Sequence, residues 1–368
     1  MNILVVHRLP INHFPPVRNL IEVLLRNGHC VTIITKEGVN SNISQDGKLK
    51  YITIPEYRRN GKLSISLYLK NKFLIRKLVK EEMRYNEILW TTTDCTVREL
   101  GKVVLKYKHV MQLMELIEDI PAFPKQKLIG YNIKRFARKA YKVVVPEYNR
   151  AHIQKIWWGL KEVPTVLPNK MTEPLIKSIP DKIKNVLDEL EQENRKIILY
   201  QGVFLADRDL DAFAKVAEKL SDNYCFYIMG RDSEYREFLC EKYKNIKYIP
   251  FIDPPFHLLI TPKAYIGLLP YRAANLRHYS ILNALFCAPN KIFEYAYCGV
   301  PMIGTDVPGL SIPFSIYDIG VICKNLTPEE IEEKIKEVEK RYEILKCNCF
   351  KFYESVDLDA IVSEIING

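Results

Sequence analysis

The sequence predicts two doubly wound α/β domains, and three observations carry that prediction. Short β-branched runs alternate with amphipathic helical stretches, the scheme occurs twice, and a polar, Pro-containing stretch separates the two occurrences. Strands that are apolar throughout and separated by helices belong to parallel sheets covered on both faces. At 368 residues the chain suits two domains of roughly 150–200 residues.

In the first half the expected strands are Ile3–Val6, Val31–Thr35, Tyr51–Ile54, Glu87–Trp90, His109–Leu113 and Lys142–Val145. Helical patterns over Val17–Arg26, Leu63–Glu82 and Asn132–Lys139 lie between them. The second half repeats the scheme with strands at Ile197–Gln201, Phe226–Met229, Ile246–Pro250, Ala264–Leu269 and Met302–Thr305. The boundary is expected near Pro164-Thr-Val-Leu-Pro-Asn-Lys170, giving domains over residues 1–168 and 169–350. A helix over 351–368 then packs back on the first domain. Near the end, Thr327 reads as an N-cap with Pro328 at the first helical position. The first run is followed at once by His7, Arg8 and Pro10, and no basic segment precedes it. It reads as a strand and not as a signal peptide.

Composition narrows the function classes. Apolar residues make up 48% and charged residues 27%, the balance of a globular protein rather than a disordered one. No apolar run approaches the roughly 18 residues of a membrane span. The nine cysteines form no CxxC pair, which argues against a zinc or thioredoxin-type site and for free thiols in a reducing cytoplasm. No metal site is expected. Charge is uneven: residues 1–170 hold 30 Lys and Arg against 14 Asp and Glu, and the rest hold 24 against 30. A first half at +16 points to an anionic partner: nucleic acid, an acidic lipid surface or a phosphorylated substrate.

The richest segment is Ala288-Pro-Asn-Lys-Ile-Phe-Glu-Tyr-Ala-Tyr-Cys-Gly-Val-Pro-Met-Ile-Gly-Thr-Asp306. Pro289 and Asn290 open a helix, and Ile292, Tyr295, Ala296 and Gly299 share one face of it. A helix N-terminus can hold a phosphate through its unpaired N–H groups, and Lys291 adds a formal charge there. Glu294, one turn further in, is placed to accept hydrogen bonds from two ribose hydroxyls. The plain alternative is an exposed Lys291–Glu294 pair. The apolar surroundings of the helix favour a buried and employed carboxylate.

This stretch resembles the C-terminal signature of retaining GT-B glycosyltransferases, the family four-like enzymes of capsular and exopolysaccharide synthesis. Supporting pieces are Gly28-His-Cys-Val31, Val166-Leu-Pro-Asn-Lys170, Tyr200-Gln-Gly-Val-Phe204 with Arg208, Met229-Gly-Arg231 and Ile266-Gly-Leu-Leu-Pro-Tyr271. The resemblance implies the GT-B fold, two Rossmann-like domains facing a central cleft. It also implies a nucleotide-sugar donor as co-substrate, with no further cofactor. By it, Arg208 and Lys291 neutralise the donor diphosphate and Glu294 holds the ribose. Asn290 and Gly202 belong to the same donor site, Gly202 by close backbone approach, and Arg231 lines the nucleotide pocket. Each has a plainer alternative: a solvated arginine between Asp207 and Asp209, an ordinary turn glycine, a loop arginine without ligand.

The chain departs from the family in three places. Phe286 stands where a second Glu contacts the donor sugar, His7-Arg-Leu-Pro10 replaces a Gly-Gly, and Met114 replaces a His. Glu115 and His13 are then the catalytic candidates of the first domain. Two basic clusters remain: Lys134, Arg135, Arg138, Lys139 and Lys142, expected on one helix face, and Lys70, Lys72, Arg76, Lys77 and Lys80. Together they favour the anionic cytoplasmic leaflet and an acceptor glycan that is lipid-linked or phosphorylated. No nucleic-acid signature accompanies them. The rival readings are a degenerate GT-B domain assisting an active partner and another nucleotide-sugar enzyme, such as an epimerase.

Overall fold

The computed structural model describes residues 1–11, 14–36, 47–55, 58–59, 62–63, 65–118, 120–123, 126–131, 133–174, 176–204, 208–273 and 279–368. The chain divides into two compact units. Met1–Thr172, His278–Ser280 and Asp357–Gly368 form the first, and Glu173–Arg277 with Ile281–Val356 the second.

Unit 1 runs β1 (Asn2–Val6), α1 (Pro15–Arg26), β2 (Cys30–Thr35), β3 (Leu49–Thr53) and a short pair β4 (Arg58–Arg59) and β5 (Lys62–Leu63). It continues with α2 (Ile65–Glu82), β6 (Ile88–Thr92), α3 (Asp94–Leu100), β7 (His109–Gln112), the antiparallel pair β8 (Ile120–Phe123) and β9 (Gln126–Tyr131), and α4 (Ile133–Ala137). It closes with β10 (Lys142–Val145), α5 (Tyr148–Trp158) and β11 (Thr165–Val166). Seven strands make one parallel sheet in the order β11-β10-β7-β6-β1-β2-β3. The chain builds outwards from β1 in one direction, returns, and builds from β6 in the other. The switch point therefore lies between β1 and β6, where crossover segments leave for opposite faces.

The alternation of strand side chains fills both faces of this sheet. Leu4, Val6, Leu89, Met111, Val143 and Val145 pack with Ile75 and Val79 of α2, Val97 of α3 and Phe136 of α4. The amphipathic α1 buries Val17, Leu20, Ile21 and Leu24. His7 and His109 are wholly buried, and burial pushes each imidazole down to about 3. Both are neutral, and each hydrogen-bonds a threonine: His7 Nδ1 to Thr92 Oγ1 at 2.7 Å and His109 Nε2 to Thr91 Oγ1 at 2.8 Å.

Unit 2 runs α6 (Asp181–Glu191), β12 (Lys196–Gln201), α7 (Asp211–Lys219), β13 (Tyr224–Gly230), α8 (Glu234–Lys242), β14 (Ile246–Pro250), α9 (His257–Ile260), β15 (Ile266–Leu269) and α10 (Ile281–Leu285). Then follow α11 (Asn290–Tyr297), β16 (Met302–Thr305), α12 (Pro308–Tyr317), β17 (Gly320–Cys323) and α13 (Pro328–Glu354). Its sheet is parallel, in the order β14-β13-β12-β15-β16-β17. Here the switch point lies between β12 and β15. Leu199, Tyr227 and Leu269 face α11 and α12, while Ile198, Tyr200 and Leu268 face α7 and α13. The last helix, α14 (Leu358–Asn367), follows in the chain but packs on α1 and belongs to unit 1.

Two local readings differ from the structure. The face expected over Lys134–Lys142 breaks because α4 ends at Ala137: Lys142 opens β10, and Arg138 turns its Nε onto the Trp158 carbonyl at 2.5 Å. Asp357 and Asp359 each have a defined partner. Asp357 caps α14 by accepting from Ala360 N–H, and Asp359 takes both Arg26 nitrogens. The strand β17 was not expected, since four residues after a turn carry little periodic signal. Thr327, by contrast, caps α13 through Glu330 N–H with Pro328 at the first helical position.

Tyr295 of α11 enters the sheet because β15 carries Gly267 opposite it. Its hydroxyl donates to the Leu199 carbonyl at 2.9 Å, and a Cβ on Gly267 would lie 2.6 Å from the ring. Gly267→Ala should therefore destabilise unit 2 by about 1–3 kcal/mol through overpacking. Urea unfolding checks this, and an unchanged midpoint would show that α11 yields freely.

Candidate functional site

The site is assembled at the carboxyl ends of β12 and β15, where a doubly wound sheet binds its ligand. Gln201 ends β12, and Gly202 follows with φ +143, a conformation glycine alone adopts easily. From the first turn of α11, Lys291 lies across Gly202, so that a Cβ there would meet Nζ at 2.6 Å. Among the described residues the Lys291 ammonium has no hydrogen bond or ion pair. The α11 N-terminus is opened by Pro289, which supplies no side-chain cap, so its first N–H groups stay available to a ligand. Asn290 is the first residue of that turn.

Glu294 lies one turn further in and is 7% exposed. Gln201 Nε2 donates to its Oε2 at 2.6 Å, and His257 Nε2 stands 3.4 Å from its Oε1. Gln201 is itself fixed, since Thr261 Oγ1 donates to its Oε1 at 2.9 Å. Burial, the largest influence, raises the Glu294 carboxyl. His257, Lys291 and the Gln201 amide together outweigh it and hold the group below the usual carboxylate range. It is an ionised, oriented acceptor with lone pairs left for donors from a ligand.

Arg208 forms an isolated antiparallel bridge with Tyr271, and its guanidinium lies 3.7 Å from that ring's centroid. This places a cation just past the end of β15, the neighbour of β12, whose end carries Gly202 under the Lys291 side chain. Thr305 holds the Tyr271 carbonyl in turn. Arg231 is exposed at the end of β13 and lies 4.9 Å over Phe251.

The structure thus brings together Gly202, Asn290, Lys291 and Glu294, and sets Arg208 on the neighbouring strand end. Gln201, His257 and Thr261 join them without having been singled out from the sequence. Gln201 stood inside a quoted motif, but no spacing rule marks a glutamine as the clamp of a distant carboxylate. His257 opens a helix of four residues, too short for periodicity to register.

In unit 1, Glu115 follows β7, and its Oε2 lies 3.8 Å from Arg150, which also donates to the Met114 carbonyl at 3.0 Å. His13 lies outside the described residues. Phe286 follows α10, and the first loop carries buried His7 and the Arg8–Glu99 pair at 2.5 Å.

No family profile matches the chain, and no curated protein sequence matches it either. Solved structures do. Sucrose-phosphate synthase from Thermosynechococcus elongatus superposes with a TM-score of 0.69 at 14% identity, over 99% of this chain and 97% of that one. HepE from Anabaena, solved with UDP and glucose, gives 0.68 at 12% over 100% and 98%. WaaG, a glycosyltransferase involved in lipopolysaccharide biosynthesis, gives 0.63 at 14% over the whole of both chains. With parallel sheets of seven and six strands, the fold is GT-B.

A prediction follows from the Glu294 environment. Its carboxyl is lowered in the fold from 4.5, so its ionisation stabilises unit 2 above pH 4.5 and that contribution is lost as pH falls through the folded value. Wild type should lose stability in this window more steeply than Glu294→Gln. Parallel acid limbs in chemical unfolding would show that the carboxylate is not held in this way.

Proposed function

We propose that the chain is a glycosyltransferase that takes a sugar from a nucleotide-sugar donor bound on unit 2. The observation that carries this is the Lys291 ammonium lying across Gly202 without a hydrogen bond among the described residues, one turn from an ionised, clamped Glu294. A diphosphate needs cations and helix N–H groups, and a ribose needs an acceptor for two hydroxyls. Both requirements meet at this switch point. The UDP seen in HepE makes UDP the natural probe.

In the reaction the bond between the sugar's anomeric carbon and the diphosphate breaks, and an acceptor hydroxyl forms the new bond. Its proton passes to the departing diphosphate oxygen. Negative charge grows on the diphosphate as the bond breaks, and Lys291 and Arg208, already in place, stabilise it by several kcal/mol. Basic partners at the phosphates make the reaction metal-independent and free of further cofactors. The resemblance to retaining enzymes makes retention of anomeric configuration the expected outcome. Arg231 and Phe251 at the end of β13 and beyond β14 flank the base.

We place the acceptor on unit 1, with Glu115 as the titratable group nearest the position of the missing histidine. The support for a surface-polysaccharide acceptor at the cytoplasmic leaflet is the outer face of α2. Leu69 and Phe73 are exposed there, Phe73 by 71%, among Lys70, Lys77 and Lys80. Apolar side chains framed by lysines suit an anionic interface. Among the described residues, no helix is long and apolar enough to cross a membrane.

Glu294→Ala should weaken UDP binding about tenfold or more, since two hydroxyls lose a charged acceptor; calorimetry with unchanged affinity would remove the ribose assignment. Transfer should persist in EDTA; loss restored by magnesium or manganese would contradict metal independence. Replacing Leu69, Lys70, Phe73 and Lys77 with Ser should release the protein from anionic vesicles in flotation assays. Wild type should itself leave those vesicles as salt rises, and indifference to them at low salt would end the membrane assignment.

A further inference from the structure

The second switch point, between β1 and β6, carries a cluster that donor binding does not use. Four cations surround Glu99 there, and a second carboxylate, Asp94, stands nearby. Arg8 pairs with Glu99 at 2.5 Å, and Arg76 Nε donates to the Glu99 backbone carbonyl at 2.7 Å. Lys72 and Arg98 act on the same carboxyl, which is only 4% exposed. Asp94, that second carboxylate, accepts from the Cys95 thiol at 3.6 Å, and Arg8 and Arg98 act on that thiol. Lys72 and Arg76 are thereby the inward half of the basic run on α2, whose outer half is Lys70, Lys77 and Lys80.

Three further observations point the cluster at a ligand rather than at structural pairing alone. Arg98 Nε is buried with no hydrogen-bond partner among the described residues, and so is His7 Nε2 on a side chain that is fully buried. Thr93, the residue after β6, has φ 69 and ψ 151, a region where a β-branched residue is strained and which is found mostly at binding sites. That turn is locked: Thr93 N–H donates to the Gln112 carbonyl at 2.9 Å, and Thr96 Oγ1 accepts from Arg8 N–H at 3.2 Å. Finally, Tyr279 arrives in unit 1 beside Asp94, Cys95, Arg98 and Glu115, and burial raises its phenol, which keeps the hydroxyl a neutral donor.

A structural ion network tends to balance its charges. This one has two positive charges more than its carboxylates supply, at the end of the sheet where doubly wound folds bind ligands. Arginine forks and a lysine suit phosphate geometry. We propose that this crevice is a phosphate subsite for the acceptor, with Arg98 and Lys72 as its charge partners and the Tyr279 hydroxyl as a neutral donor. The proposal rests on the transferase reading for the word acceptor, and on the unit 1 geometry alone for the site. A lipid-borne diphosphate and a soluble sugar phosphate present the same group to it.

The test is a titration of the full chain with inorganic pyrophosphate, with UDP present throughout to occupy the donor site. Wild type should bind pyrophosphate; Arg98→Gln and Lys72→Gln should each weaken it about tenfold or more, and Arg98→Lys by less. Thermal melting and UDP binding, measured on the same samples, report whether each variant is folded. If UDP itself does not bind wild type, the transferase reading fails, while the loss in Arg98→Gln still decides the anion site. Equal pyrophosphate binding by wild type and both folded variants would overturn the proposal. Transfer assays then separate the sources. A raised KM of the variants for glucose 6-phosphate supports a soluble acceptor, and one confined to polyprenyl diphosphate acceptors in phosphatidylcholine vesicles supports a lipid-borne one. An unchanged KM for both would also overturn it.

Discussion

The candidate site of unit 2 depends on one buried charge. A carboxylate taken out of water at Glu294 is costly unless it is paired and hydrogen-bonded. Gln201, His257 and Lys291 supply that compensation from three different elements. To do so, β12 must end at Gln201, Gly202 must let Lys291 pass, and α9 must begin at His257. The packing below follows: Gly267 admits Tyr295, whose bond to Leu199 sets the height of α11 against the sheet. The charge and the helix position are thus one constraint seen from two sides.

Much of the fold is legible in the sequence because its strands are continuous β-branched runs, such as Ile3–Val6 and Ile197–Tyr200, separated by strongly amphipathic helices like α1. Period and composition decide such elements locally. What escaped were pieces decided elsewhere. The strand β17 is fixed by pairing with β16, and α4 stops at Ala137 because the chain must turn into β10. The basic run over Lys134–Lys142 looked continuous only while that turn was unseen.

The candidate site was legible in the same uneven way. Lys291 and Glu294 stand three residues apart on one helix, so sequence spacing alone places them on neighbouring positions. Gln201 and His257 reach Glu294 across separations of 93 and 37 positions in the chain, where no periodicity operates. In unit 1 the sequence presents the basic run on α2 as a single cluster suited to an anionic surface. Packing divides it: Phe73 and Lys77 face outward, while Lys72 and Arg76 turn toward Glu99. The two halves have different surroundings, and only the position of α3 reveals it.

The most direct test of the account is the position of UDP in a crystal structure of the complex. The account predicts the β-phosphate at about 3 Å from Lys291 Nζ and at the N-terminus of α11, with both ribose hydroxyls on Glu294 at hydrogen-bond distance. A nucleotide bound elsewhere, or with its phosphates directed away from Lys291, would contradict it.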